Sequence, residues 1–138
     1  MKLYALRRYQ RTLVDTADRR ATVIYLYDAA IRACRQAAEA IEEGRVNDKC
    51  RHLDRALMGV VELAGALDFE IGGALAIRLV ALYTYLIRSL VESNADNDAA
   101  KALGCLAVLR TLRDGWEQVA NMRNPLNEAG AAPSYLMA

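Results

Sequence analysis

The chain has 138 residues, enough for one domain, with 54% apolar and 25% charged residues and a formal net charge of +1. A domain of this size buries roughly two-thirds of its unfolded surface, so the composition excludes a disordered chain. The near balance of 18 basic and 17 acidic residues leaves no electrostatic footprint for nucleic acid or an anionic membrane.

Alanine (25) and leucine (19) dominate, against 8 glycines and 2 prolines. Helix formers are plentiful and breakers few, which predicts an all-α fold. Residues 1–15 form a leader in which Leu3, Leu6, Tyr9 and Leu13 stand among arginines. Alone it is too short to be a stable helix. The first long helix is expected from Asp18, whose carboxylate suits an N-cap, to Gly44, which suits the left-handed position after a helix. Its apolar stripe is Ile24, Tyr27, Ile31, Cys34, Ala38 and Ile41. The second helix starts near Asn47 or Asp48 and carries Leu53, Leu57, Val60, Ala64 and Leu67. Residues 68–73 read as a turn around Gly72-Gly73. The third helix carries Leu75, Leu79, Leu82, Leu86 and Leu90 and ends near Ser93-Asn94. Asp96, Asn97 and Asp98 offer caps for a fourth, with Leu103, Leu106, Leu109, Leu112, Trp116 and Val119. Each stripe repeats at three and four residues, the period of an amphipathic helix. Short connections force neighbours to run antiparallel. The expected architecture is an up-down-up-down four-helix bundle over residues 16–120, with a short helical or extended segment before it (1–15) and a flexible tail after it (121–138).

Catalytic chemistry is poorly supplied. One histidine cannot complete the paired Glu-x-x-His set of a di-iron bundle or a Cys/His zinc set with three scattered cysteines. Neither a metal nor a cofactor is expected, and an enzymatic role is not. Phosphotransfer bundles display an exposed histidine, but His52 is followed by Arg55 and Ala56 rather than by the usual Lys and a Gly or Ser. It reads instead as a surface histidine. Cys34 lies on an apolar stripe and reads as a small buried hydrophobe. The longest uncharged run in the body of the chain, Leu79 to Ile87, is less than half a membrane span, so no membrane insertion is expected.

Five strings then fall in one order: Tyr9-Gln10 followed by Thr16-Ala17-Asp18; Leu26-Tyr27-Asp28; Leu82-Tyr83-Thr84-Tyr85; Leu90-Val91-Glu92-Ser93-Asn94; and Leu112-Arg113-Asp114-Gly115-Trp116. Over residues 9–119 this series resembles the FliS family, the export chaperones of flagellin. Departures are small: Asp18-Arg19 replaces the usual Ser/Thr-Pro, Ser93 replaces an Ala, and Tyr25 replaces Met or Leu. The resemblance implies a non-enzymatic protein of the bacterial cytosol. Such a protein binds the C-terminal region of flagellin, blocks premature filament assembly and helps deliver the subunit to the export gate. It also implies gate docking through an N-terminal tyrosine, so Leu6 and Tyr9 are the docking candidates.

A disordered amphipathic client would lay its apolar face into grooves between helices. That requires more apolar residues than the core stripes use. The first helix has Val23, Ala30, Ala33 and Ala37 off its stripe, the second Met58 and Val61, and the third Ile77, Val80, Tyr83, Ile87 and Val91. The client-binding candidates are Tyr9, Leu13, Val23, Tyr27, Ile77, Val80, Tyr83, Ile87 and Asn94. The leader could cover this surface as a displaceable cap. Two other readings remain open on the residues alone: a phosphotransfer bundle using His52, and a helical scaffold that self-associates, for which a weak homodimer would be the sign. Gly59, Gly65, Gly104 and Gly115 inside the helices mark either close helix approach or room for a client backbone.

Overall fold

The computed structural model describes the backbone of residues 2–122 and the side chains of residues 19–118. It consists of four helices: α1 (Lys2–Glu42), α2 (Val46–Gly65), α3 (Phe69–Asp96) and α4 (Ala99–Met122). Helices α2 and α4 each pack on both α1 and α3. That adjacency places α1 diagonally across from α3 and gives the expected antiparallel four-helix bundle.

The start of α1 differs from expectation. The helix runs through Asp18 from Lys2, so Asp18 is an interior residue and not a cap. The physical reason is composition: residues 2–17 contain no glycine or proline, and nothing stops a helix from propagating backwards once nucleated. The tail beyond Met122 lies outside the described residues.

The other boundaries follow local chemistry. Gly44 takes the left-handed conformation (φ 71°). Its N–H returns to the Ile41 carbonyl at 3.2 Å and that of Arg45 to Ala40 at 2.9 Å, a Schellman closure. Residues 68–73 are not a plain turn. The Asp68 carboxylate accepts the Glu70 and Ile71 N–H groups, both at 3.0 Å, and caps a helical turn. At Gly73 (φ 51°, ψ −127°) that turn bends into the long part of α3, a conformation open to glycine. Helix α3 ends later than expected, at Asn97 in the left-handed region (φ 51°). Asp98 begins α4, accepting the Lys101 N–H at 3.3 Å.

The core is built on alanines. Ala30, Ala33, Ala37, Ala38 and Ala40 of α1 are buried, beside Tyr27, Cys34, Val60, Tyr83, Leu86, Leu90 and Leu109. Val23, Ala30, Ala33 and Ala37, which the stripe left over, are therefore consumed inside the bundle. Conversely Leu75 and Leu103, expected inside, are exposed. Leu75 follows the Gly73 bend, and on α4 the small residues Ala102 and Cys105 take the inward positions instead.

Candidate functional site: an apolar flank of α3

Polar ties set which side of α3 meets α2. The Lys49 ammonium, itself buried, donates to the Asn94 carbonyl at 3.1 Å and to Asn97 Oδ1 at 2.6 Å. Cys50 Sγ lies 3.7 Å from Asn94 Oδ1. On the other side Lys101 reaches Glu92 at 2.6 Å and ties α3 to α4. Stepping back from Asn94 by threes and fours along the α2 side passes Val91, Ile87, Thr84, Val80 and Ile77. Ile77 (61% exposed) and Val91 (56%) face solvent, while Val80 and Ile87 are half-buried. On α2, Leu57 is half-buried and Val61 exposed. The result is an uncharged stripe about 21 Å long at 1.5 Å per residue.

The excess is a property of α3 as a whole. It is long and apolar enough, by length and composition, to cross a membrane, yet only 28% of its most apolar 18 residues are buried. Phe69, Ile71, Leu75 and Tyr85 add further exposed apolar surface. Exposed apolar residues scattered singly are ordinary, but a contiguous run marks a surface that something covers.

The candidate residues separate into three groups. Ile77, Val80, Ile87 and Asn94 lie together on the α2 side of α3. Val23, Tyr27 and Tyr83 are buried and offer no surface in this state. The side chains of Leu6, Tyr9 and Leu13 lie outside the described residues. Val91, Val61 and Leu57 complete the stripe. For Val91 the sequence signal was the three-four spacing from Ile77 and Val80, which could not say which flank of α3 stays open; Leu57 and Val61 belong to α2, outside that spacing.

Tyr27 and Tyr83 meet hydroxyl to hydroxyl at 2.5 Å, with exposures of 0% and 2%. Burial pushes both phenols above their ordinary pKa. Beside them Arg113 Nε bonds Asp28 at 2.7 Å and its Nη1 reaches Glu117, joining α4 to α1. An open cleft of about 630 Å³ lies between α1 and α2, bordered by Tyr25, Arg32, Arg55, Met58 and Glu62. At its floor Gly59 lets the helices close up: a Cβ there would meet Ala30 Cβ at 3.3 Å. Gly65, Gly104 and Gly115 face open space, so close helix approach explains Gly59 alone.

His52 is not a surface residue. It is 8% exposed, and its Nδ1 has no partner among the described residues. Burial, with Arg51 and Arg55 nearby, lowers its pKa. A buried neutral imidazole is poorly placed to accept a phosphoryl group. Burial likewise pushes the Cys34 thiol to about 12 and Cys105 to about 11, which suppresses the reactive thiolate. Among the described residues no three His, Cys, Asp or Glu side chains are grouped as a metal site.

Residues 2–123 match the family model described as flagellar protein FliS. The chain belongs to the FliS family. The flagellar secretion chaperone FliSB of Pseudomonas aeruginosa is 29% identical over 121 residues, covering 85% of this chain and 96% of that protein. The flagellar secretion chaperone FliS of Bacillus subtilis is 31% identical over 110 residues, covering 80% and 81%. That of Salmonella typhimurium is 30% identical over 121 residues, covering 83% and 89%. Three of the FliS-like strings, separate along the chain, meet in space, as Tyr27 bonds Tyr83 and Asp28 pairs with Arg113, while a fourth is tied to α2 where Lys49 bonds the Asn94 carbonyl. They frame the bundle on which the α3 stripe is displayed.

Proposed function

We propose that this chain is a non-enzymatic cytosolic chaperone that holds the disordered C-terminal segment of flagellin, prevents its premature polymerisation and hands it to the flagellar export gate. The observation that carries this reading is the uncovered apolar stripe of α3 in a member of the FliS family. An amphipathic segment laid along the α2 side of α3 would cover Ile77, Val80, Ile87 and Val91, with Asn94 at the end of the stripe able to bond a client backbone. Ordering a disordered client lowers net affinity, which suits a complex that must be released. Tyr9 and Leu13 belong to the leader, which here continues α1 as helix; to act as the displaceable cap we assign to it, the leader has to leave that helix and fold back onto the stripe, with Leu6 and Tyr9 docking at the gate.

Calorimetric titration with a synthetic flagellin C-terminal segment tests the reading. Binding with a large negative heat-capacity change is expected; absence of binding to a folded chain overturns it. Deleting residues 1–14 should raise the binding of an apolar dye to the free protein, and an unchanged signal removes the cap. Mass measured against concentration in the absence of client would show whether the stripe instead pairs two copies.

A further inference from the structure

We propose that the Tyr27–Tyr83 hydroxyl pair is a positioning device for client binding: it sets the depth and rotation at which α3 seats on the bundle, and so the shape of the apolar stripe. The proposal rests on the chaperone reading above and adds to it two residues that touch no client.

The argument begins with how α3 is held. It lies diagonally across the bundle from α1 and packs on α2 and α4, its buried residues beyond the Gly73 bend forming the narrow line of Ala76, Leu79, Tyr83, Leu86, Leu90 and Ser93. The shared core it packs into is rich in small side chains, among them Ala30, Ala33, Ala37 and Ala38 of α1 and Ala102 of α4. Alanines make a low-relief surface, and apolar contact is non-directional, so these contacts hold α3 without strongly fixing its rotation. Lys49, through Asn94 and Asn97, and Lys101, through Glu92, hold the C-terminal part, and nearer the middle α4 adds only a weak bond from the Cys105 thiol to the Leu86 carbonyl at 3.7 Å. Among the described residues, the Tyr27–Tyr83 bond is the one hydrogen bond that joins α1 to α3 directly, and it sits midway along the stripe. A buried hydroxyl without a partner is costly, so any rotation or slide of α3 that parts the two oxygens is penalised. A buried polar group that fixes register in an otherwise greasy interface is a known device in helical assemblies. Here its lever arm is short. Val80 and Ile87 stand three residues before and four after Tyr83, on the adjoining turns of the same helix. Turning Tyr83 inward or outward turns them with it.

The test uses the full chain and the flagellin C-terminal segment, with Tyr27→Phe, Tyr83→Phe and the double variant. Tyr27→Phe strands the Tyr83 hydroxyl and Tyr83→Phe leaves the Tyr27 hydroxyl only the Trp116 side chain, so each should lower the melting temperature, the first more. The double variant removes both and should recover most of that loss. Recovered stability should not bring recovered function. Without its stop, α3 occupies more than one seating, amide exchange along α3 quickens relative to α2, and apparent affinity falls by the fraction of molecules correctly seated, an expected three- to tenfold. Phe changes no atom on the surface, so lost client contact cannot explain that fall. Ile77→Asp is the control: it should lose affinity while α3 exchange stays as in the parent. The proposal is overturned if the double variant keeps parental α3 exchange and binds within twofold, or if it recovers none of the stability lost by the worse single. Should the double variant fail to fold, Tyr83→Phe is read by the same two measurements. If the unaltered chain does not bind the flagellin segment, the chaperone reading falls, and α3 exchange in the double variant still decides the positioning role.

Discussion

Helices α1 and α3 face each other across the bundle and use their residues in opposite ways. Helix α1 is rich in arginine and alanine and looks the more polar, yet from Val23 to Ala40 it buries residue after residue. It packs far more extensively on α2 and α4 than α3 does. Helix α3 is the most apolar of the four and leaves most of that surface in water. Small side chains let α1 sit deep between its neighbours, as the Gly59–Ala30 contact shows. The larger side chains of α3 need only one narrow line to reach the core, and the rest is surplus. Apolarity therefore marks the working surface here, and modest alanine marks the core.

The largest test of this contrast is a pair of substitutions on α3. Leu86→Ala, at a side chain with 0% exposure, should cost about 2–5 kcal/mol in denaturant unfolding. Its exposed counterpart Ile77→Ala should stay within about 0.5 kcal/mol while weakening flagellin-segment binding. Equal stability losses would break the assignment of core and working faces. Glycines sharpen the same distinction on a smaller scale. Gly104→Ala meets nothing within 4 Å and should stabilise the chain by about 0.5–1 kcal/mol through helix propensity. Gly59→Ala, pressed against Ala30, should gain less or lose.

Two titrations bracket the stable range. His52 has a lowered pKa in the folded chain, so the unfolded chain takes up its proton first. The stability it contributes is complete above about pH 6.5 and is lost progressively as pH falls through the lower folded value. In His52→Gln that part of the acid slope should vanish from a series of thermal melts. Tyr27 and Tyr83 are raised, so their contribution is complete below about pH 10 and declines as pH rises toward the folded values. The smallest effect concerns labelling. Exposed Cys50 should react with a thiol reagent in the native protein, while buried Cys34 and Cys105 should react only on unfolding. Three equally fast thiols would mean the alanine-lined core is open.

Much of the fold is readable from local chemistry. Gly44 and Asp98 mark helix ends because their conformational or capping roles act within one turn, whereas Asp68 caps a helix inside a stretch that reads as a turn, and Asp18 reads as a cap but lies inside α1. The three-four stripes locate Tyr27, Cys34, Leu53, Val60, Leu79, Leu86 and Leu109 correctly inside. Errors arise where an interior position depends on a neighbour. Leu103 gives way to Ala102 and Cys105, and His52 is drawn inside although its own helix allows it a surface place. The site was half legible for the same reason. Ile77, Val80, Ile87 and Asn94 share one flank, but Val23, Tyr27 and Tyr83 belong to the interior, because core and contact residues draw on one alphabet.

Residue order by itself determined the four-helix, all-α character, the helix ends set by caps and glycines, and the FliS-like strings, since each is encoded within a few residues or a few turns. Only the tertiary structure decided which helix is central, which flank of the apolar helix stays uncovered, and that Tyr27 meets Tyr83. Those outcomes depend on how closely whole helices approach one another, and that distance is set jointly by side chains far apart in the chain.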